Sequence, residues 1–309
     1  MLTIFSTPKP FKGHTGIIQR NAITSWTLLH PRPEIILFGN DEGTAEAAKD
    51  IGVLHVSEIA RSEFGPPLLN DLFQKAEQQA SHQTLCYVNT DIVLMDDLPA
   101  ALARVSASPM EYLAVGRRWD LDVQGPLNFE SPDWQGELRT RARKAGCQRP
   151  ANWIDYFVFS KKFVDGVPPF AIGRTCWDNW LIWHARSIGL SVVDLSVEVT
   201  AVHQNHDYSH HPKGAAGVWD GEESKRNYKL AGGRWHLCTI DDATHLLSPA
   251  GLRPNPELRK QLGRRFFRTL RENLRFGALD WSRPIRKALG LRKKNRDALF
   301  ARLRRLVSR

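Results

Sequence analysis

The chain has 309 residues, 42% of them hydrophobic and 25% charged, a balance that suits a soluble globular protein with a real core. No apolar run is long enough to cross a bilayer, which argues against an integral helical membrane protein. The net charge of +10 is unevenly placed: residues 251–309 hold 19 Lys and Arg against 4 Asp and Glu, leaving 24 against 29 in residues 1–250, a mildly acidic body with a strongly basic tail.

The first residues, Met1-Leu-Thr-Ile-Phe5, run straight into strand-like sequence and read as lacking a signal peptide. A strand over Leu2 to Ser6 ends at Thr7-Pro-Lys-Pro10, and the spacing of Ile18, Ala22, Trp26 and Leu29 predicts a helix from Ile17 to Leu29. Pro31 and Pro33 stop it. Glu34 to Phe38 is an uninterrupted apolar strand of the kind covered on both faces in a parallel sheet. Next come the acidic turn Asn40-Asp-Glu-Gly43, a helix from Thr44 to Asp50, a strand from Val53 to Val56 and a helix from Leu68 to Ala80. Leu85 to Val88 and Ile92 to Leu94 read as strand on either side of Asn89-Thr90-Asp91. Strand–helix alternation through residue 94 argues for a βαβ sheet.

Beyond residue 94 the spacing predicts a helix ending at Val105, a strand Tyr112 to Val115 and a helix opened by Ser131-Pro132 and stopped by Gly146. Trp153 to Ser160 reads as a strand, Thr175 to His184 as a helix, and Ser191 to Val202 as two short strands. Ser248 to Pro256, rich in Pro and Gly, is the best linker candidate and divides the chain into a body of 1–247 and a tail of 248–309. Four widely spaced cysteines (Cys86, Cys147, Cys176, Cys238) without a C-x-x-C pair favour reduced thiols and a cytoplasmic setting.

Several groups of residues could carry chemistry. Asn89 and Asp91, at a strand end, are placed to hold a hard divalent cation and a ribose hydroxyl, or else form an ordinary Asx turn. His203, His206, His210 and His211 gather four of the chain's 11 histidines in one loop, able to bind metal or simply to hydrogen-bond in solvent. Asp178, among Trp177, Trp180 and Trp183, has apolar neighbours that would raise its pKa toward general-base work; Thr175-x-x-Asp178 also matches a capping box. Asp41 could receive a base or ribose, and Arg117 and Arg118 could meet phosphate or pair with acids such as Asp120. No P-loop, G-x-S-x-G elbow or G-x-G-x-x-G fingerprint is present, so ATPase, α/β-hydrolase and dinucleotide readings lack motif support.

Taken in order, Ile4-Phe-Ser-Thr-Pro-Lys-Pro-Phe11, Leu37-Phe-Gly-Asn-Asp-Glu-Gly43, Tyr87-Val-Asn-Thr-Asp-Ile92, Gly173-Arg-Thr-Cys-Trp-Asp-Asn-Trp180 and Val202-His-Gln-Asn-His206 resemble the GT-A nucleotide-diphospho-sugar glycosyltransferases. The resemblance spans roughly residues 1–210. It implies an α/β fold, GT-A-like (Rossmann-like), with a mixed, mainly parallel sheet flanked by helices and a basic helical C-terminal extension. It further implies donor contacts at Thr7, Asp41, Asn89, Asp91, Arg117 and Arg118, and a Mn2+ or Mg2+ site at Asp91, His203 and His206. Asp178 takes the place of the base of an inverting transfer, with Asp155 the alternative. Asn89 stands where the family's Asp-x-Asp motif has its first Asp, leaving Asp91 as the anionic ligand.

The implied partners are a nucleotide-sugar donor and a saccharide or lipid-linked acceptor. Residues 257–309 carry Leu258, Leu262, Phe266, Phe267, Leu270 and Leu274 at helical spacing among arginines, with a second such stretch from Asp297 to Val307. Basic amphipathic helices of this kind lie on anionic membranes, here the inner face of one. Phosphate gripping by the tail makes nucleic-acid binding a competing function, against which the acidic body and the tail's few aromatics weigh. A zinc hydrolase built on the histidine loop is a third reading.

Overall fold

The computed structural model describes residues 1–161, 163–207 and 214–275. The chain divides into a unit Met1–Asn255 and a second unit from Pro256. The first opens as β1 (Leu2–Ser6), α1 (Gly13–Thr27), β2 (Glu34–Phe38), α2 (Thr44–Ile51), β3 (Leu54–Val56), α3 (Leu69–Gln79) and β4 (Thr84–Val88). These strands lie parallel in the order β3-β2-β1-β4, as helical crossovers require. The chain continues through β5 (Ile92–Val93), α4 (Asp97–Ser106), β6 (Tyr112–Leu121), α5 (Trp134–Ala145), β7 (Cys147–Gln148), β8 (Ile154–Ser160) and α6 (Trp177–Ser187). It then forms β9 (Ser191–Asp194), β10 (Ala201–Gln204), α7 (Gly214–Asp220), α8 (Glu222–Leu230), β11 (His245–Ser248) and β12 (Gly251–Pro254). β8 inserts antiparallel between β4 and β6, and the sheet extends through β9 and β11 to the hairpin strand β12. This is the expected α/β architecture, a mixed, mainly parallel sheet flanked by helices.

Alternation along the central strands builds a core on each face of the sheet. Phe5, Ile36, Phe38, Leu85, Tyr87, Phe157 and Phe159 face α3 and α6, where they meet Leu72, Phe73, Trp177 and Leu181. Their neighbours Ile4, Ile35, Leu37, Cys86, Val88, Tyr156 and Val158 face α1 and α4, where Ala22, Trp26, Leu98 and Val105 close over them.

β6 belongs to two sheets. Tyr112 to Val115 pair with β8 and β9, whereas Arg118 to Leu121 pair with β10. A register shift between Val115 and Arg117 separates the halves. Gly116 sits at the bend because a Cβ there would lie 2.0 Å from the Tyr156 hydroxyl oxygen. The strand therefore runs on to Leu121 rather than stopping at Val115, as its apolar run had suggested.

Other sequence expectations are corrected. The Ser131 hydroxyl binds Glu137 instead of a backbone N–H, so α5 starts only at Trp134. The Thr175–Asp178 capping box does not form; Cys176 is the residue before α6, with φ +85°, the one non-glycine in the left-handed half of the map among the described residues. Most of the Pro/Gly stretch read as a linker forms the β11–β12 hairpin, which turns between Ser248 and Gly251 (φ +107°), and the division between the two units falls at its end, after Asn255. In the second unit α9 (Leu258–Arg275) is described. Residues 276–309, including the predicted Asp297–Val307 segment, lie outside the described residues, as do His210 and His211. No helix among the described residues is long and apolar enough to cross a membrane.

Candidate metal and donor site

The carboxyl ends of the parallel strands β1, β2 and β4 share one edge of the sheet, where ligands of open α/β sheets bind. Asn89, Thr90 and Asp91 form the turn from β4 into β5. β10 lies between β5 and the second half of β6, with His203 opposite Ile92 on one side and Asp120 on the other. That register brings His203 to Asp91, although 112 positions separate them in the chain.

Asp91, His203 and His206 offer one ligand atom each, all within 4.8 Å of one another. The His206 Nε2 is 3.1 Å from Asp91 Oδ2, and the His203 Nε2 is 3.9 Å from the same oxygen. His206 donates its Nδ1–H to the Asp207 carbonyl at 2.7 Å, which turns Nε2 toward Asp91. His203 Nδ1 lies 3.2 Å from Asp120 Oδ1, without the alignment of a linear hydrogen bond. Asp91 Oδ1 is buried with no hydrogen-bond partner among the described residues. Burial alone would raise the Asp91 carboxyl, but His203, His206 and Lys9 hold it well below the usual carboxylate range. An ionised carboxylate with an orphaned oxygen, beside two converging imidazole nitrogens, fits a divalent cation.

A charged chain backs this cluster. Asp120 receives Arg118 Nε at 2.8 Å and faces Arg149 Nε at 3.2 Å. Arg118 Nη1 donates to Asp155 Oδ2 at 2.8 Å, and both guanidinium groups lie over the Trp153 ring, at 4.8 and 4.1 Å. Asn89 donates from Nδ2 to Asp155 Oδ1 at 2.6 Å and accepts the Tyr87 hydroxyl at 2.9 Å. The Asn at position 89 thus has a physical reason: an Asp there would set two carboxylates against each other across that bond.

Asp178 stands in the first turn of α6. The residue is only partly covered, yet withdrawal of water pushes its carboxyl up to about 7, and Asp155 adds repulsion. Backbone N–H groups of Asp178 and Asn179 act in the opposite sense without cancelling the shift.

Two residues that sequence reasoning passed over lie close by. Gln19, buried on α1, accepts the Lys9 N–H at 2.7 Å and donates to the Lys9 carbonyl at 2.8 Å. Its Oε1 also accepts the Thr90 hydroxyl at 2.8 Å, which ties Lys9 to the residue before Asp91. Loss of hydration lowers the Lys9 pKa, against the attraction of Asp91 and Asp155 and with the repulsion of Arg174. A polar residue on the buried stripe of α1, and a lysine held between Pro8 and Pro10, were the available signals.

The remaining predicted donor residues are not drawn into this network. Thr7 follows β1 with its hydroxyl buried and without a hydrogen-bond partner among the described residues. Asp41 pairs with Arg61 at 2.5 Å beside β3. Arg117, on the opposite strand face from Arg118, pairs with Asp241 at 3.0 Å.

No family model matches the chain, and no curated protein matches it. Among solved structures, a mycobacterial protein is similar at 14% identity over 75% of this chain and 75% of that chain, with a TM-score of 0.47. A mannosyltransferase from Pyrobaculum calidifontis, in complex with GDP-Man and Mn2+, shares 14% identity over 65% of this chain and 56% of that chain (TM-score 0.40). Glucosyl-3-phosphoglycerate synthase from Mycobacterium tuberculosis, in complex with Mg2+ and UDP, shares 12% over 75% and 80% (TM-score 0.44).

Proposed function

We propose that the chain is a glycosyltransferase that moves a sugar from a nucleotide-diphospho-sugar to a hydroxyl acceptor, with inversion, assisted by a divalent cation. The observation that carries this reading is the convergence of Asp91, His203 and His206 at the carboxyl edge of the sheet, with the orphaned Asp91 Oδ1 among them. These residues would hold Mn2+ or Mg2+, whose charge would offset that building up on the departing nucleoside diphosphate. Asp120 steadies His203, and Arg118 and Arg149 steady Asp120. Asp178, raised toward neutrality, accepts the proton of the attacking hydroxyl. Asp155, whose oxygens are taken by Asn89 and Arg118, is the poorer base. Residues 257–309, strongly basic and helical at their start in α9, would hold the enzyme at an anionic membrane surface where lipid-linked acceptors lie.

The test is a panel of UDP- and GDP-sugars with and without Mn2+, read by thermal shift and by nucleotide release. The intact chain is expected to respond to at least one donor with metal present, and Asp91→Ala to lose both the metal-dependent shift and turnover. Unchanged turnover in Asp91→Ala would overturn the reading. Tightly held zinc, with hydrolysis of ester or amide substrates and no response to nucleotide sugars, would favour the hydrolase instead.

A further inference from the structure

Lys9 has a place in the fold that its surroundings do not explain. Pro8 and Pro10 restrict the backbone on either side. Both of its own backbone polar groups are taken by the single amide of Gln19, at 2.7 and 2.8 Å. The same amide oxygen receives the Thr90 hydroxyl, so the Lys9 backbone is registered against the turn that carries Asp91. Asp91 and Asp155 attract the Lys9 charge and Arg174 repels it. Among the described residues its ammonium makes no ion pair, whereas Arg118, Arg149 and Arg174 are each matched by a carboxylate. Lys9 is partly covered, and the burial it does have works against its charge; a cation left there without a counter-ion is one that an anionic ligand would stabilise. Beside a site built for a divalent cation, the anion that fits two adjacent positive centres is a diphosphate.

We propose that Lys9 is the metal-independent contact for the diphosphate of a nucleoside-diphosphate ligand, fixed in place by the Gln19 amide. The inference rests on the nucleotide-sugar reading above and assigns to that reading a residue separate from the metal ligands. The metal cluster and Lys9 then divide the recognition of the diphosphate. The cluster depends on a loaded cation, and Lys9 retains a preference for diphosphate over monophosphate when the cation is removed.

Calorimetric titration of the full chain with UDP, GDP, UMP, GMP and inorganic pyrophosphate, in EDTA and again with Mn2+, tests this. In EDTA the unmodified chain should bind one diphosphate at least about tenfold more tightly than its monophosphate, the range of a charge-assisted hydrogen bond. Lys9→Gln should erase that preference while leaving monophosphate affinity within about twofold, and Lys9→Arg should restore part of it. Undiminished diphosphate preference in Lys9→Gln overturns the assignment, even where the nucleotide-sugar reading survives. Binding of no nucleotide by the unmodified chain under either condition overturns both. A measurement on the unmodified chain guards against a variant that fails to fold. Acetylation at Lys9, read by mass spectrometry in EDTA, should be suppressed by the preferred diphosphate and by pyrophosphate but not by the monophosphate. Equal acetylation in all cases again rejects the role.

Discussion

At the scale of single residues, Asp178 and Asn89 make opposite demands on charge. The Asp178 carboxyl, at about 7 in the fold against 3.8 for an ordinary aspartate, favours its protonated form when folded. The stability this supplies is complete below pH ~4 and is lost as pH rises toward 7. Asp178→Asn keeps a neutral side chain at every pH. Its advantage in denaturant melts should therefore grow between pH 4 and 7 and level off above, at about 1–2 kcal/mol after discounting for solvent reaching the group. Turnover should show the reverse dependence: the rate of the unmodified chain rises through pH 7 as the base loses its proton, and Asp178→Asn falls by about 100-fold or more. A flat pH–rate profile would remove Asp178 from the chemistry. Asn89→Asp should cost about 2–3 kcal/mol at pH 7, because a carboxylate replaces the donor 2.6 Å from Asp155, and the loss should shrink near pH 4 as the pair takes up a proton. Chemical denaturation at both pH values checks it. The Asn was visible in the sequence, but its reason was not, because Asp155 lies 66 positions away.

At the scale of elements, what the sequence showed and hid follows from the range of each interaction. Strands such as Glu34–Phe38 and Thr84–Val88 were legible because burial on both faces demands a continuous apolar run. The second half of β6 was not, because Arg118, buried, and Asp120, partly covered, are held there by pairing with each other and by the ladder to β10 rather than by being apolar. The β11–β12 hairpin was hidden for a related reason: Pro and Gly mark a tight turn and an edge strand as readily as a linker. Gly116 offers a direct test of the β6 bend. Gly116→Ala would drive a methyl into the hydroxyl of Tyr156, which is fully buried and has little room to yield. A loss of about 1–3 kcal/mol in urea melts is expected, and no loss would mean that the bend is set elsewhere.

At the scale of the whole molecule, the fold class was legible from the βα alternation and the order of motifs, and Asp91, His203 and His206, singled out in the sequence, lie together in the fold. Lys9 and Gln19 were not, since a clamp between a loop and a buried helix amide leaves no periodic trace. The charge asymmetry between body and tail was plain from composition alone, and it carries its own prediction. The full chain should co-sediment with vesicles containing phosphatidylserine at low salt, be released as salt approaches about 0.5 M where screening is short-ranged, and ignore neutral vesicles. Binding to RNA or DNA with no vesicle binding would instead favour the nucleic-acid role of the tail.

The two-sheet course of β6 has a consequence for how the protein opens. Amide protons of Leu113 to Val115 sit in the centre of the main sheet between β8 and β9, and should exchange with solvent only through global unfolding. Those of Trp119 to Leu121 are protected by the short strands β7 and β10 and should exchange sooner, through a local opening that releases Asp120 and His203 together. Loading the cluster with Mn2+ should slow that faster class and leave the slower one unchanged. One strand would then report, at its two ends, the stability of the scaffold and the occupancy of the site.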